Sequence, residues 1–235
     1  MRADANAGDA QASARVGAAE RALVWCEIAS VVTSALVAEW AVLALGDWHK
    51  LALAVPVGLA FALMLASHRA RGETRAALGL TGRNFWRALR LLALPMLAGA
   101  LLLALAGRVW FGAPFVVGQP RAGWEFFGLP VWGFVWGLVQ QYALQGFINR
   151  RLQLLWGAGW RTTLTVAALF ALLHLPNPWL TAATLMGGLM WAAVYQRAPN
   201  LWALALSHAV MTWVLVSTIP ASALAGLRVG YKYFG

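Results

Sequence analysis

The chain has 235 residues, of which 61% are hydrophobic and only 11% charged, and its mean hydropathy is +0.67. Soluble domains carry roughly a quarter charged residues, and the apolar residues here fall in long continuous runs. A soluble fold and an alternating β-barrel are therefore excluded, leaving an all-α, polytopic membrane helical bundle of seven or eight transmembrane helices. The net charge of +10 would suit a nucleic-acid binder, but the arginines sit in loops between apolar runs, so topology explains them and no nucleic-acid partner is expected.

Residues 1–20, "MRADANAGDAQASARVGAAE", form a polar, Ala-rich tail, disordered or loosely helical, with no apolar core of a signal peptide. Residues 21–107 read as a three-span part, with apolar runs near 22–45, 51–67 and 89–106. The first run is too long for a signal and is expected to anchor the chain. Its Cys26 is the only cysteine, which excludes a disulfide framework or a Cys-based zinc site and suggests a small buried apolar residue. The loop 68–90 is basic, and from Asn84 onward it has the pattern of an amphipathic helix on the inner leaflet. An external loop is expected over 108–123, rich in Gly and Pro. A four-span core follows over 124–220, with runs near 124–148, 162–175, 180–196 and 200–219, and then a C-terminal tail, 221–235. With the N-terminus in the cytoplasm, only Lys50, Arg108, Arg121, Arg228 and Lys232 of the 18 Lys and Arg fall outside, as the positive-inside rule requires. The expected location is a bacterial inner (plasma) membrane, with the lipid bilayer as the constant partner.

Nearly all intramembrane polarity lies in the four-span core. The stretch "WGLVQQYALQGFINRRL" (136–152) places Gln140, Gln141 and Gln145 in a span, where each amide must find a partner or carry a desolvation cost of about a few kcal/mol. Trp132, Trp136 and Gln140 recur every four residues, and so do Gly133, Gly137, Gln141 and Gln145. Both stripes are expected on an interior face, the glycines allowing a neighbouring helix to come close. The next span ends "LFALLHLPNP", with Phe170 one turn before His174. The last contains "LALSHAVMTWV", with His208 one turn before Thr212. Counting about 1.5 Å of rise per residue puts Gln140, Gln141, His174 and His208 at similar depth, roughly 12–18 Å above the cytoplasmic boundary. One mid-membrane polar cluster is geometrically allowed, with Trp132, Trp136 and Phe170 lining it. Asn177 reads as a turn residue. Two His without a carboxylate or Cys make an incomplete zinc site, so neither a metal nor any other cofactor is expected.

At these residues the chain resembles the CAAX-protease and bacteriocin-processing (CPBP, or Abi) family of intramembrane endopeptidases. That family's pattern is Glu-Glu-x-x-x-Arg on one span, Phe-x-x-x-His on the next and His-x-x-x-Asn on a later one. Here "QQYALQG" stands at the first, Phe170 to His174 fits the second, and His208 to Thr212 half-fits the third. "LPN" and "LGLTGRNFWRALR" (78–90) also look like the family. The resemblance implies a water activated by a Glu and the histidines, with the later His and Asn stabilising an oxyanion. Carried over, Gln140 stands at the catalytic Glu, Gln141 at the second Glu, Gln145 at the Arg and Thr212 at the Asn.

An amide cannot take a proton near neutral pH, so Gln140 is no general base. None of the eight acidic residues lies after Glu125, which is more than about 20 Å from Gln140 along its helix. Glu27 and Glu39 lie in the first span, and only a particular packing would bring Glu39 to the cluster. The three replacements look concerted, since losing one charge of the set would leave the others unbalanced in a low dielectric. Three functions stay open: a protease with a histidine base, a non-proteolytic homologue that holds a membrane protein, a membrane-embedded or lipid-modified peptide or an isoprenoid in the same cavity, and an enzyme acting on a lipid or isoprenoid. In the last, Trp132 and Trp136 would stabilise a cation while His174 or His208 moves a proton.

Overall fold

A computed structural model of the chain describes residues 2–45, 52–112 and 124–235, and the side chains of 17–45, 52–112 and 131–235. Among the described residues the fold is all helical. Helix α1 (Arg2–Leu36) runs on through a π-helical stretch (Val37–Val42) and a 3-10 turn (Leu43–Leu45). It is followed by α2 (Ala54–Ala70), α3 (Phe85–Phe111) and α4 (Trp124–Gln141). A π-helical segment (Tyr142–Asn149) joins α4 to α5 (Arg150–Trp156). Then come α6 (Trp160–Leu172), α7 (Pro178–Arg197) and α8 (Leu201–Thr218). Among the described residues, three stretches are long and apolar enough to cross a membrane: Gly17–Leu45, Phe85–Phe111 and Leu201–Thr218. Of the loop expected over 108–123, α3 takes the part up to Phe111, and 113–123 lie outside the described residues.

Two expectations need correction. The basic segment after Asn84 is not a separate surface helix. Asn84, in the left-handed region at φ 62, precedes Phe85, and α3 then continues unbroken to Phe111, so Arg87 and Arg90 belong to the first turns of an apolar helix. Cys26 is exposed rather than buried, on the face of α1 that points away from the bundle.

Helix α6 pairs with α7, α8 lies against both α3 and α4, and α1 packs on α2. Met64, Leu92, Phe147, Leu152, Phe170 and Leu204 fill the core between them. Asparagine caps set two of the helix starts. Asn177 accepts from Leu180 N–H at the head of α7, and its amide donates to the carbonyls of Leu224 and Arg228, drawing the C-terminal tail back onto the bundle. Asn200 accepts from Ala203 N–H at the head of α8 and donates to Thr81 and Arg83 O, tying the 79–84 loop to α8.

The arginines after the glutamine motif hold an internal network of ion pairs. Arg151 is fully buried, bonds Glu73 and Ser67 at 3.0 and 2.8 Å, and pairs with Glu27 at 3.0 Å. Arg150 donates to the other Glu73 oxygen at 2.7 Å, His68 Nδ1 also meets Glu73, and Ser67 donates to Glu27 at 2.6 Å. Burial alone would raise the Glu73 carboxyl, but the hydrogen bonds from Arg151, His68 and Arg150 outweigh it and hold the group at about 2. This ionic knot joins α1, α2, the following loop and α5, and so fixes the end of the π-helical segment that carries the glutamines.

Candidate functional site

Helix α4 can approach α8 because Gly137 has no side chain. A methyl group there would stand 3.1 Å from His208 Cβ and 3.3 Å from Ala205 O. The close contact brings the next residue of the same stripe, Gln141, to His208, with Gln141 Nε2 3.3 Å from His208 Nδ1. Both residues are buried. On the other side, the His208 ring stacks flat on Trp191 at 4.6 Å, and Trp191 Nε1–H is held by Ser207 Oγ at 2.8 Å. Gly188, one turn before Ala192 on α7, lets α7 lie on α6, since a methyl there would meet Ala167 Cα at 2.8 Å.

His174 lies just past the end of α6. Its Nδ1 is 2.7 Å from Phe170 O, and because a carbonyl only accepts, Nδ1 carries the hydrogen. In the neutral ring Nε2 is then an unprotonated acceptor. The Phe170 ring meets both imidazoles edge-on, at 4.7 Å from His174 and 6.1 Å from His208. The two histidines, Phe170, Trp191 and Gln141 thus form one cluster between α4, α6, α7 and α8.

The other expected members are placed differently. The two four-residue stripes on α4 do not share a face. Gly133, Gly137, Gln141 and Gln145 point inward, whereas Trp132 and Trp136 are 62% and 47% exposed and stack on each other. The aromatic beside the histidines is Trp191 instead. Gln140 is half-buried and its side chain makes no hydrogen bond among the described residues, and the same holds for Thr212. Nor do the three glutamines bond one another. Gln145 accepts from Asn149 Nδ2 at 2.8 Å, which leaves Gln145 Nε2 and Gln141 Oε1 buried without partners. Glu39 packs against the C-terminal tail. Its backbone carbonyl and Cβ lie against Gly230, whose N–H donates to Leu175 O, one residue after His174. Glu39 Oε2 is buried without a partner.

Sequence reading missed the continuation of the amide stripe. Gln153 donates to Asn149, Gln196 donates to Asn149 and Thr163, and the chain Gln145–Asn149–Gln153 runs down the same side at intervals of four. Extending the four-residue spacing past Gln145 would have found Asn149 and Gln153. Trp191 had no such signal, being one of 14 tryptophans. No group of three or more His, Cys, Asp or Glu able to hold a metal occurs among the described residues.

Chemically, this arrangement can accept one proton at His174 Nε2 and offer amide hydrogen-bond donors. It cannot hold a negative charge opposite His208, where a carboxylate would stabilise the imidazolium. Residues 122–214, which contain the glutamines, both histidines and Thr212, match a family model described as Type II CAAX prenyl endopeptidase Rce1-like. No curated protein and no solved structure matches the chain. The likeness covers less than half of the chain, with α1 to α3 outside it, and makes residues 122–214 similar to that family.

Proposed function

We propose that the chain is a CAAX-protease-like integral membrane protein whose mid-membrane cluster receives a membrane-embedded or lipid-modified peptide without the family's carboxylate-driven hydrolysis. In this reading the helices make seven or eight spans, with the N-terminus cytoplasmic. The observation that carries it is the Gln141–His208 contact at 3.3 Å. A glutamine amide meets the imidazole at a position where the resemblance would put a carboxylate. A neutral amide neither takes a proton from water nor stabilises an imidazolium. What remains is a set of donors suited to a peptide carbonyl, including the unpartnered Gln145 Nε2–H₂. A peptide entering hydrocarbon must satisfy its own backbone groups, and such a cluster supplies partners there.

One observation favours a second reading, hydrolysis with a histidine base. His174 Nε2 is left with a free lone pair by the bond from Nδ1 to Phe170 O. The lipid or isoprenoid alternative is weakened, because Trp132 and Trp136 face outward rather than toward the histidines. The test is photo-crosslinking in liposomes with a farnesylated peptide and its unmodified counterpart. Adducts on residues 140–149 or 205–212 with the peptide intact are expected. Adducts confined to other parts of the chain would sink the binding role, and a cleaved peptide would sink the loss of hydrolysis.

A further inference from the structure

A second feature lies at the arginine-rich end of the bundle, away from the histidines. A groove of about 570 Å³ opens between the start of α6 and the end of α7. That volume lies within the roughly 300–1,000 Å³ of small-molecule sites in general. Leu164, Leu189 and Ala193 make its apolar wall, and Trp160, Gln196 and Arg197 stand where the two helices end. Trp160 is 71% exposed and Leu164 47%, so the groove is open sideways along an apolar helix.

The charge at the mouth has no internal counterpart. Arg197 is exposed and in no ion pair among the described residues. Arg161 lies over the Trp160 ring at 5.7 Å, likewise unpaired with any acid. No Asp or Glu occurs in the sequence after Glu125, so neither α6 nor α7 can supply one. The polar wall is also built rather than loose. Gln196 Oε1 accepts from Gly159 N–H at 2.8 Å, and Gln196 Nε2 donates to Thr163 at 3.2 Å and Asn149 at 3.3 Å. An open apolar slot, an exposed Trp at its end and two arginines with no acidic partner fit an acyl chain below and a negative headgroup above. A soluble anion would use the arginines but leave the slot unfilled.

We propose that this groove is a binding site for an anionic phospholipid of the surrounding bilayer, seated with its headgroup at Arg161 and Arg197. Through Gln196 the lipid would sit one hydrogen bond from Asn149, and so brace the amide chain below Gln145. The site is independent of whether the histidine cluster cleaves, binds or does neither.

The test is native mass spectrometry of the full chain, stripped of lipid in neutral detergent and titrated with phosphatidylglycerol or phosphatidylcholine of identical acyl chains. The unaltered protein should retain phosphatidylglycerol at least about fivefold better, as two interfacial cations allow. In Arg161→Gln/Arg197→Gln, two exposed positions, the preference should vanish. Ala193→Trp, which fills the slot, should lower retention of both lipids. Equal retention of the two lipids by the unaltered protein would overturn the proposal. So would a preference that survives the double arginine change, since it would then belong to another basic surface.

Discussion

Replacing Arg151 by Met is the sharpest structural perturbation available. The Arg151 side chain is completely buried, and the side chains of Glu27 and Glu73 are only 10% and 11% exposed. Removing the guanidinium leaves two nearly buried carboxylates sharing Arg71, Arg150 and His68, and it takes a hydrogen bond from Ser67 Oγ. Breaking one partner of a buried ion pair costs about 3–5 kcal/mol. For a chain of this size 1 kcal/mol corresponds to roughly 2–4 °C, so the apparent unfolding midpoint should fall by at least about 6 °C. Glu73→Gln should cost less, because Arg151 keeps Glu27 and Arg150 is partly open to solvent. The same pair gives a pH signature. Glu73 is held at about 2, below its usual 4.5, so it contributes stability above about pH 4.5 that is lost as pH falls toward 2. The contribution is about 2 kcal/mol after allowing for the solvent that still reaches it. Tryptophan fluorescence during heating in detergent reads both effects. A midpoint for Arg151→Met within 2 °C of the native value, or an acid slope unchanged by Glu73→Gln, would refute the ionic knot as a stabilising element (roughly 1 kcal/mol or less).

Two further outcomes follow from helix contacts and caps. Gly188→Ala should lower the midpoint by the equivalent of about 1–3 kcal/mol, because its methyl meets Ala167 Cα at 2.8 Å, whereas Gly58→Ala, with nothing within 4 Å, should be neutral in the same melting assay. Asn200→Ala removes a cap and leaves Thr81 and Arg83 carbonyls without their donor. It should cost about 2–3 kcal/mol and raise amide hydrogen exchange across residues 79–84 above that of the rest of the chain.

The helices were largely legible in the sequence because apolar runs and their polar interruptions mark them directly. The small-residue face of α4 was legible too, since Gly133 and Gly137 recur at the helical interval that meets α8. The approach of His208 to that stripe follows from it. Which of the two neighbouring stripes faces inward was not legible. They are offset by a single residue, and only the packing of α8 selects Gln141 over Gln140 and turns Trp132 and Trp136 outward. The Glu73–Arg151 pair was invisible for a different reason. Its members are 78 residues apart and come from a loop and a helix, so no local pattern announces them.

The measurement that bears most directly on the proposed function is a cleavage assay in liposomes with prenylated and unmodified peptides, read by mass spectrometry. It would compare the native protein with His174→Ala, Gln140→Glu and Gln141→Glu. Placing a carboxylate at either glutamine tests both the position the resemblance gives to the catalytic Glu and that of the second Glu, where Gln141 contacts His208. The expected result is intact peptide with the native protein and cleaved product with at least one of the Glu variants. Cleavage by the native protein that disappears in His174→Ala would contradict it and establish a histidine-based protease.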